Sequence, residues 1–221
     1  MDLLYTAHVP AGDGPHPTIV LLHGWGASAH DLFGLAPYLH GGRALVLCPQ
    51  GPVAFRAGPS QIGYGWFPIT GGGPIDPAGF AKGRELLRAF VDQVVTQFPV
   101  DSRKLAVLGF SQGGVMAFDL VLRDPARFAG LAALSSWLPN DLANTIPESE
   151  ALSHFPVLVQ HGTADPMIPV ERGRETRQRL GRMGVDLSYR EYDMQHEIRP
   201  EALRDLITWL EEKVFQPILL A

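Results

Sequence analysis

The sequence predicts an α/β fold in which a mostly parallel sheet carries helices on both faces. Three observations lead there. Short, near-continuous apolar runs recur along the chain, amphipathic helical patterns fall between them, and the runs end in Gly, Pro, His or Ser. Such runs are too short for buried helices, and an apolar run without alternation suits a strand covered on both sides.

Taken in order, "LLYTAHV" near the N-terminus reads as an edge strand. "TIVLLH" (18–23) and "ALVLCP" (44–49) read as buried strands. Residues 53–75 form a long Gly/Pro-rich connection, and its aromatic residues argue for order. A helix is expected from Asp76, with Asp76 as N-cap and Pro77 at the first helical position. Phe80, Leu87, Val91, Val94 and Phe98 then recur at the three- and four-residue steps of one buried face. "LAVLGF" (105–110) is a strand and 112–123 a helix. Strands follow at "FAGLAALSS" (128–136) and "FPVLVQH" (155–161), then a charged helix with a thin face of Val170, Leu180 and Met183. "LSYREY" (187–192) reads as a strand nearer the edge. The last helix sets Leu203, Leu206, Ile207, Leu210 and Val214 on one side. Neither an internal repeat nor a low-complexity segment is found.

The 221 residues suit one domain, 1–221, with its core over about 16–212. A net charge of −5 without a basic stripe argues against a nucleic-acid partner. The start, "MDLLYTAHVP", lacks the charged and apolar regions of a signal peptide, and no apolar run has the length of a membrane span. Cys48 is the one cysteine, so no internal disulfide can form. The expectation is a cytoplasmic protein. Oligomeric state is left open.

Gly109-Phe110-Ser111-Gln112-Gly113 has the spacing G-x-S-x-G between a predicted strand and a predicted helix. That context is what a nucleophile elbow requires, whereas the spacing alone also fits a plain Gly/Ser turn. Glycines allow the sharp turn, and the helix that follows aims free N–H groups at the serine. A serine hydroxyl needs a base, and an imidazole base needs an orienting acid. After Ser111, histidines stand only at 154, 161 and 196. His154 comes too early to follow the acid, and His161 ends a strand and reads as structural. His196, in the loop before the last helix, is the candidate base. Asp165, leaving a strand end before Pro166, is the candidate acid, with Asp141 and Asp193 as competitors. The oxyanion donors are read as the backbone N–H of Gln112, after the nucleophile, and that of Trp25 in "LLHGWGAS" (21–28). His23, beside the glycines, is read as a brace for that loop.

"LLHGWGAS", "GYGWFPI", "LGFSQGGVMA", "LSSWLP", "HGTADPMIPV" and "YDMQHEI" occur in the order found in the phospholipase/carboxylesterase family of α/β-hydrolases. The chain resembles that family, which includes bacterial carboxylesterases and acyl-protein thioesterases, over nearly its whole length. The resemblance implies a single-domain α/β-hydrolase fold with Ser111 as nucleophile, Asp165 as acid and His196 as base. It also implies oxyanion amides at Trp25 and Gln112, and an acyl pocket lined by Trp66 and Phe67. One departure stands out: the family usually has Gly before the catalytic histidine, and here Gln195 takes that place at the mouth of the site.

The expected substrate is a small-molecule carboxylic ester of short to medium acyl length. A thioester or lysophospholipid is the near alternative on the same triad, and no metal or organic cofactor is implied. A non-catalytic ligand-binding module on this fold would lack a triad member, whereas Ser111, Asp165 and His196 are all present. A hydrolase using Cys48 as nucleophile is disfavoured, because Cys48 ends an apolar strand before Pro49.

Overall fold

The structure is a computed structural model that describes residues 2–59, 61–69 and 75–216. Seven strands form one sheet in the order β1-β3-β2-β6-β7-β8-β9. They are β1 (Tyr5–His8), β2 (His16–Leu22), β3 (Leu45–Pro49), β6 (Val100–Phe110), β7 (Gly130–Leu134), β8 (Pro156–Gly162) and β9 (Asp186–Tyr192). Only β1, at one edge, runs antiparallel; the other pairings are parallel. The 53–75 connection contains a separate antiparallel hairpin, β4 (Val53–Arg56) with β5 (Ile62–Gly65).

The central strands lack polar alternation because both of their faces are covered. Val20 and Leu22 of β2, Leu105 and Val107 of β6, and Val157 and Val159 of β8 join one core. Ile19, Leu21, Ala106, Leu108 and Leu158 join the other. The first core is roofed by α1 (Pro77–Gln97), α2 (Gln112–Arg123), the short α3 (Asn140–Ala143) and α4 (Val170–Arg182). The second is covered by α5 (Pro200–Trp209), the π-helical turn Leu210–Val214 and the irregular segment after β2. Helices thus lie on both faces, most of them on one.

Asp76 caps α1 by accepting from the N–H groups of Ala78 and Gly79, and Pro77 opens the helix. Phe80, Leu87, Val91 and Val94 are buried as the spacing requires, with Phe98 packed partly behind them. Phe215 is buried against the second core, and residues 217–221 lie outside the described residues. The parallel strands all point their carboxyl ends the same way, so the turns after β2, β6, β8 and β9 gather at one edge of the sheet.

Candidate active site

β6 ends at Phe110 and α2 begins at Gln112, leaving Ser111 alone between them. Ser111 adopts φ 53° and ψ −120°, a conformation that side-chain-bearing residues avoid at a cost of roughly 1–3 kcal/mol. Three hydrogen bonds hold it there. Its N–H donates to Leu134 O at 2.9 Å, and its carbonyl accepts from Ser136 Oγ at 2.7 Å and from Gly114 N at 2.9 Å. The flanking glycines are required by space. A Cβ on Gly113 would fall on the carbonyls of Leu22 and His23, and one on Gly109 would fall on the backbone of Gly113.

The turn after β2 approaches the serine from the side. Among the described residues the Trp25 N–H has no acceptor, and the Gln112 N–H, at the first position of α2, has no acceptor within its helix. The β4–β5 hairpin fixes this turn. Gly26 N donates to Tyr64 O and Tyr64 N to Ala27 O, both at 2.9 Å. The Trp25 ring stacks on Phe55 with centroids 4.1 Å apart, and its six-membered ring occupies the space that a Cβ on Gly65 would take.

His23 braces the same turn from inside. Its Nδ1 lies 2.7 Å from Gly24 O and so donates, while its Nε2 accepts from Gly51 N at 2.9 Å. Both bonds demand one neutral tautomer, and burial holds the pKa of His23 below its ordinary value. The Gln112 side chain completes the frame: Oε1 accepts from Trp66 N and Nε2 donates to Phe67 O, each at 2.8 Å.

The loop after β8 presents Asp165 and the loop after β9 presents His196. Asp165 Oδ1 accepts from the N–H groups of Met167 and Ile168, both at 2.8 Å. Its Oδ2 lies 2.7 Å from His196 Nδ1. With donors on both oxygens Asp165 is an acceptor throughout, so Nδ1 carries the proton and Nε2 keeps a free lone pair. His161, enclosed on β8, donates from Nε2 to Ile168 O at 2.8 Å and so steadies the loop that holds Asp165.

Ser111, His196, Phe110, Asp31 and the Gly24–Ala27 turn line one cleft of about 290 Å³. The competitors for the acid lie elsewhere: Asp141 is exposed on α3, and Asp193 is exposed without a bond to His196. Trp66 and Phe67, expected at an acyl pocket, are 0% and 3% exposed, and neither presents a face to the open cleft. The Trp66 indole N–H donates to His23 O at 2.9 Å, which turns the ring toward the frame of the turn after β2. Gln195 is exposed, its φ is not positive, and its side chain makes no hydrogen bond among the described residues.

The model of the phospholipase/carboxylesterase family matches residues 5–214. The chain belongs to that family. It is 30% identical to acyl-protein thioesterase 1 of Mycosarcoma maydis over 239 residues, covering 97% of this chain and 99% of the relative. It is 28% identical to acyl-protein thioesterase 1 of Gibberella zeae, covering 93% of this chain and 94% of the relative. Among solved structures, esterase PE8 superposes with a TM-score of 0.83 at 26% identity, covering 96% of this chain and all (100%) of that one. The carboxylesterase of Bacillus cereus, at 19% identity and a TM-score of 0.80 over 94% of this chain and 93% of its own, shares the fold.

For this phospholipase/carboxylesterase family member, three supporting contacts escaped sequence reasoning. Ser136, just past β7, ties to the Ser111 turn, Gly65 makes room for the Trp25 ring, and the Gln112 side chain joins α2 to the segment after β5. Ser136 stands in the quoted "LSSWLP", but nothing in that string indicates what its hydroxyl reaches.

Proposed function

We propose that this protein is a serine hydrolase that cleaves carboxylic esters of short to medium acyl length through an acyl-enzyme. The observation that carries the reading is the convergence, in one cleft, of a strained Ser111, an imidazole with a free Nε2 held by Asp165, and unpartnered N–H groups. In this reading His196 Nε2 takes the Ser111 hydroxyl proton as Oγ attacks the ester carbonyl carbon. The oxygen that gains negative charge is met by the N–H groups of Trp25 and Gln112. His196 then gives its proton to the departing alcohol as the C–O bond breaks. A water molecule, deprotonated by the same nitrogen, attacks the acyl-enzyme and restores Ser111. Ser111 Oγ makes no hydrogen bond to His196 among the described residues; in serine hydrolases that bond is often long until substrate is seated.

The modest cleft supports a short acyl group. A thioester is the second reading, favoured by the relatives named acyl-protein thioesterase 1 and by the fact that the same attack and oxyanion serve both bonds. No described helix is long and apolar enough to cross a membrane, and the unpaired Cys48 fits the reducing cytoplasm in which this reading sets the protein. The test is a matched series of acyl esters and thioesters of increasing chain length, assayed on the native protein and Ser111→Ala. Turnover is expected to fall by about 10³-fold or more in the variant. Equal activity in the two proteins would discard the reading.

A further inference from the structure

We infer that the cleft selects substrates carrying a positive charge near the scissile bond, and that Asp31 is the residue that selects them. The inference rests on the Ser111 hydrolase reading and narrows its substrate class. Among the described residues lining the cleft, Asp31 is the ionisable side chain apart from His196, and none is Lys or Arg.

The Asp31 carboxylate has no visible structural task. Its backbone N–H donates to Ser28 O at 3.1 Å, which closes the local turn, but the side chain makes no hydrogen bond and no ion pair among the described residues. The helical turn Phe33–Leu35 that follows has no side-chain cap. Two loop carboxylates with structural tasks show the contrast: Asp76 caps α1 and Glu197 pairs with Arg199. An exposed, unpaired carboxylate on the wall of a small cleft sets the sign of the local field. A cation seated beside it also meets the Phe110 ring, which lines the same cleft and lies 4.8 Å from the His196 ring. The chain's net charge of −5 draws cations toward the surface as a whole. Substrates with a carboxylate or phosphate near the ester meet the opposite field.

The experiment uses two matched pairs. The first is choline butyrate and its uncharged isostere, in which tert-butyl replaces the trimethylammonio group. The second carries the same exchange at the end of the acyl half of a p-nitrophenyl ester. Each pair is read as the ratio of kcat/KM, charged over neutral, within one protein, so a general loss of activity cancels. The native protein is expected to favour the charged member of at least one pair. That ratio should fall about three- to tenfold in Asp31→Asn and further in Asp31→Lys, as a Coulomb interaction across a few ångströms of wet cleft implies. It should also fall between about 0.02 M and about 0.5 M salt. The responding pair identifies which half of the substrate meets Asp31. Ratios equal within about twofold in all three proteins, for both pairs, would overturn the inference. If the native protein turned over no member of either pair, the hydrolase reading itself would fall and this inference with it.

Discussion

The Gln112 side chain can be removed without touching the backbone N–H proposed for the oxyanion. Gln112→Met keeps the length of the side chain and deletes both polar atoms. The Trp66 N–H and the Phe67 carbonyl then lose their partners at a place where Trp66 is 0%, Phe67 3% and Gln112 1% exposed. Each buried group left unpaired costs about 1–3 kcal/mol, so roughly 2–5 kcal/mol is expected for the pair. For a chain of this size that lowers Tm by about 5–15 °C. Gln112→Glu sharpens the test. It keeps an acceptor for Trp66 N but sets a carboxylate oxygen against Phe67 O. A protonated carboxyl would donate there, so its pKa must rise on folding. The folded state then binds the extra proton, and the variant gains stability as pH falls toward the unfolded value of about 4.3. Urea unfolding followed by tryptophan fluorescence, from neutral to mildly acid pH, measures both effects. A methionine variant within about 0.5 kcal/mol of the native protein would refute the clamp. So would a glutamate variant whose deficit does not shrink on acidification.

Asp165→Asn should cost about 10³- to 10⁴-fold in kcat, because the amide oxygen must stay on the Met167 and Ile168 N–H groups and its NH₂ then meets His196 Nδ1, forcing the wrong tautomer. Asp141→Asn, on the exposed α3, should stay within about twofold, and steady-state kinetics that reverse this order would move the acid elsewhere. Cys48 is 2% exposed and burial pushes its pKa up to about 12, so iodoacetamide should label it in urea but not in the native state, where the thiolate fraction is on the order of 10³-fold lower. Rapid native labelling, read by intact mass, would contradict that burial. Burial holds the His23 pKa below its ordinary value, so the unfolded chain binds the proton first and this contribution to stability is lost as pH falls below about 6.5. The unfolding free energy should therefore drop more steeply between about pH 7.5 and about 5 for the native protein than for His23→Asn, and parallel curves would exclude it.

The sheet was legible because its middle strands are covered on both faces, which writes them as unbroken apolar runs such as 105–110 and 155–161. The N-cap and buried face of α1 were legible for the same local reasons. The β4–β5 hairpin was not. Its strands are four residues each, and Gly63 and Gly65 erase the alternation that would mark them. At the site, the tight turn at Ser111 was readable because a strand-turn-helix junction is a local event. The pairing of His196 with Asp165 spans 31 residues; the strand-end Asp-Pro favoured Asp165 over Asp141 and Asp193, but no local pattern states the contact itself. The Gln112 clamp crosses 46 residues to Trp66, and no periodicity carries that information. For Trp66 and Phe67 the resemblance implied a pocket lining, whereas the bond of the Trp66 indole N–H to His23 O joins strand-end and loop 43 residues apart and no local pattern carries it.

The most direct test of Ser111 as nucleophile is the mass of the trapped intermediate. The protein is mixed with a p-nitrophenyl ester, quenched in acid within the first turnovers, and measured intact and after digestion. One acyl group per chain is expected, carried by the peptide that contains Ser111, with none in Ser111→Ala and persistent accumulation in His196→Ala if acylation still proceeds. An acyl group on any other residue, or undiminished hydrolysis by Ser111→Ala, would contradict the account.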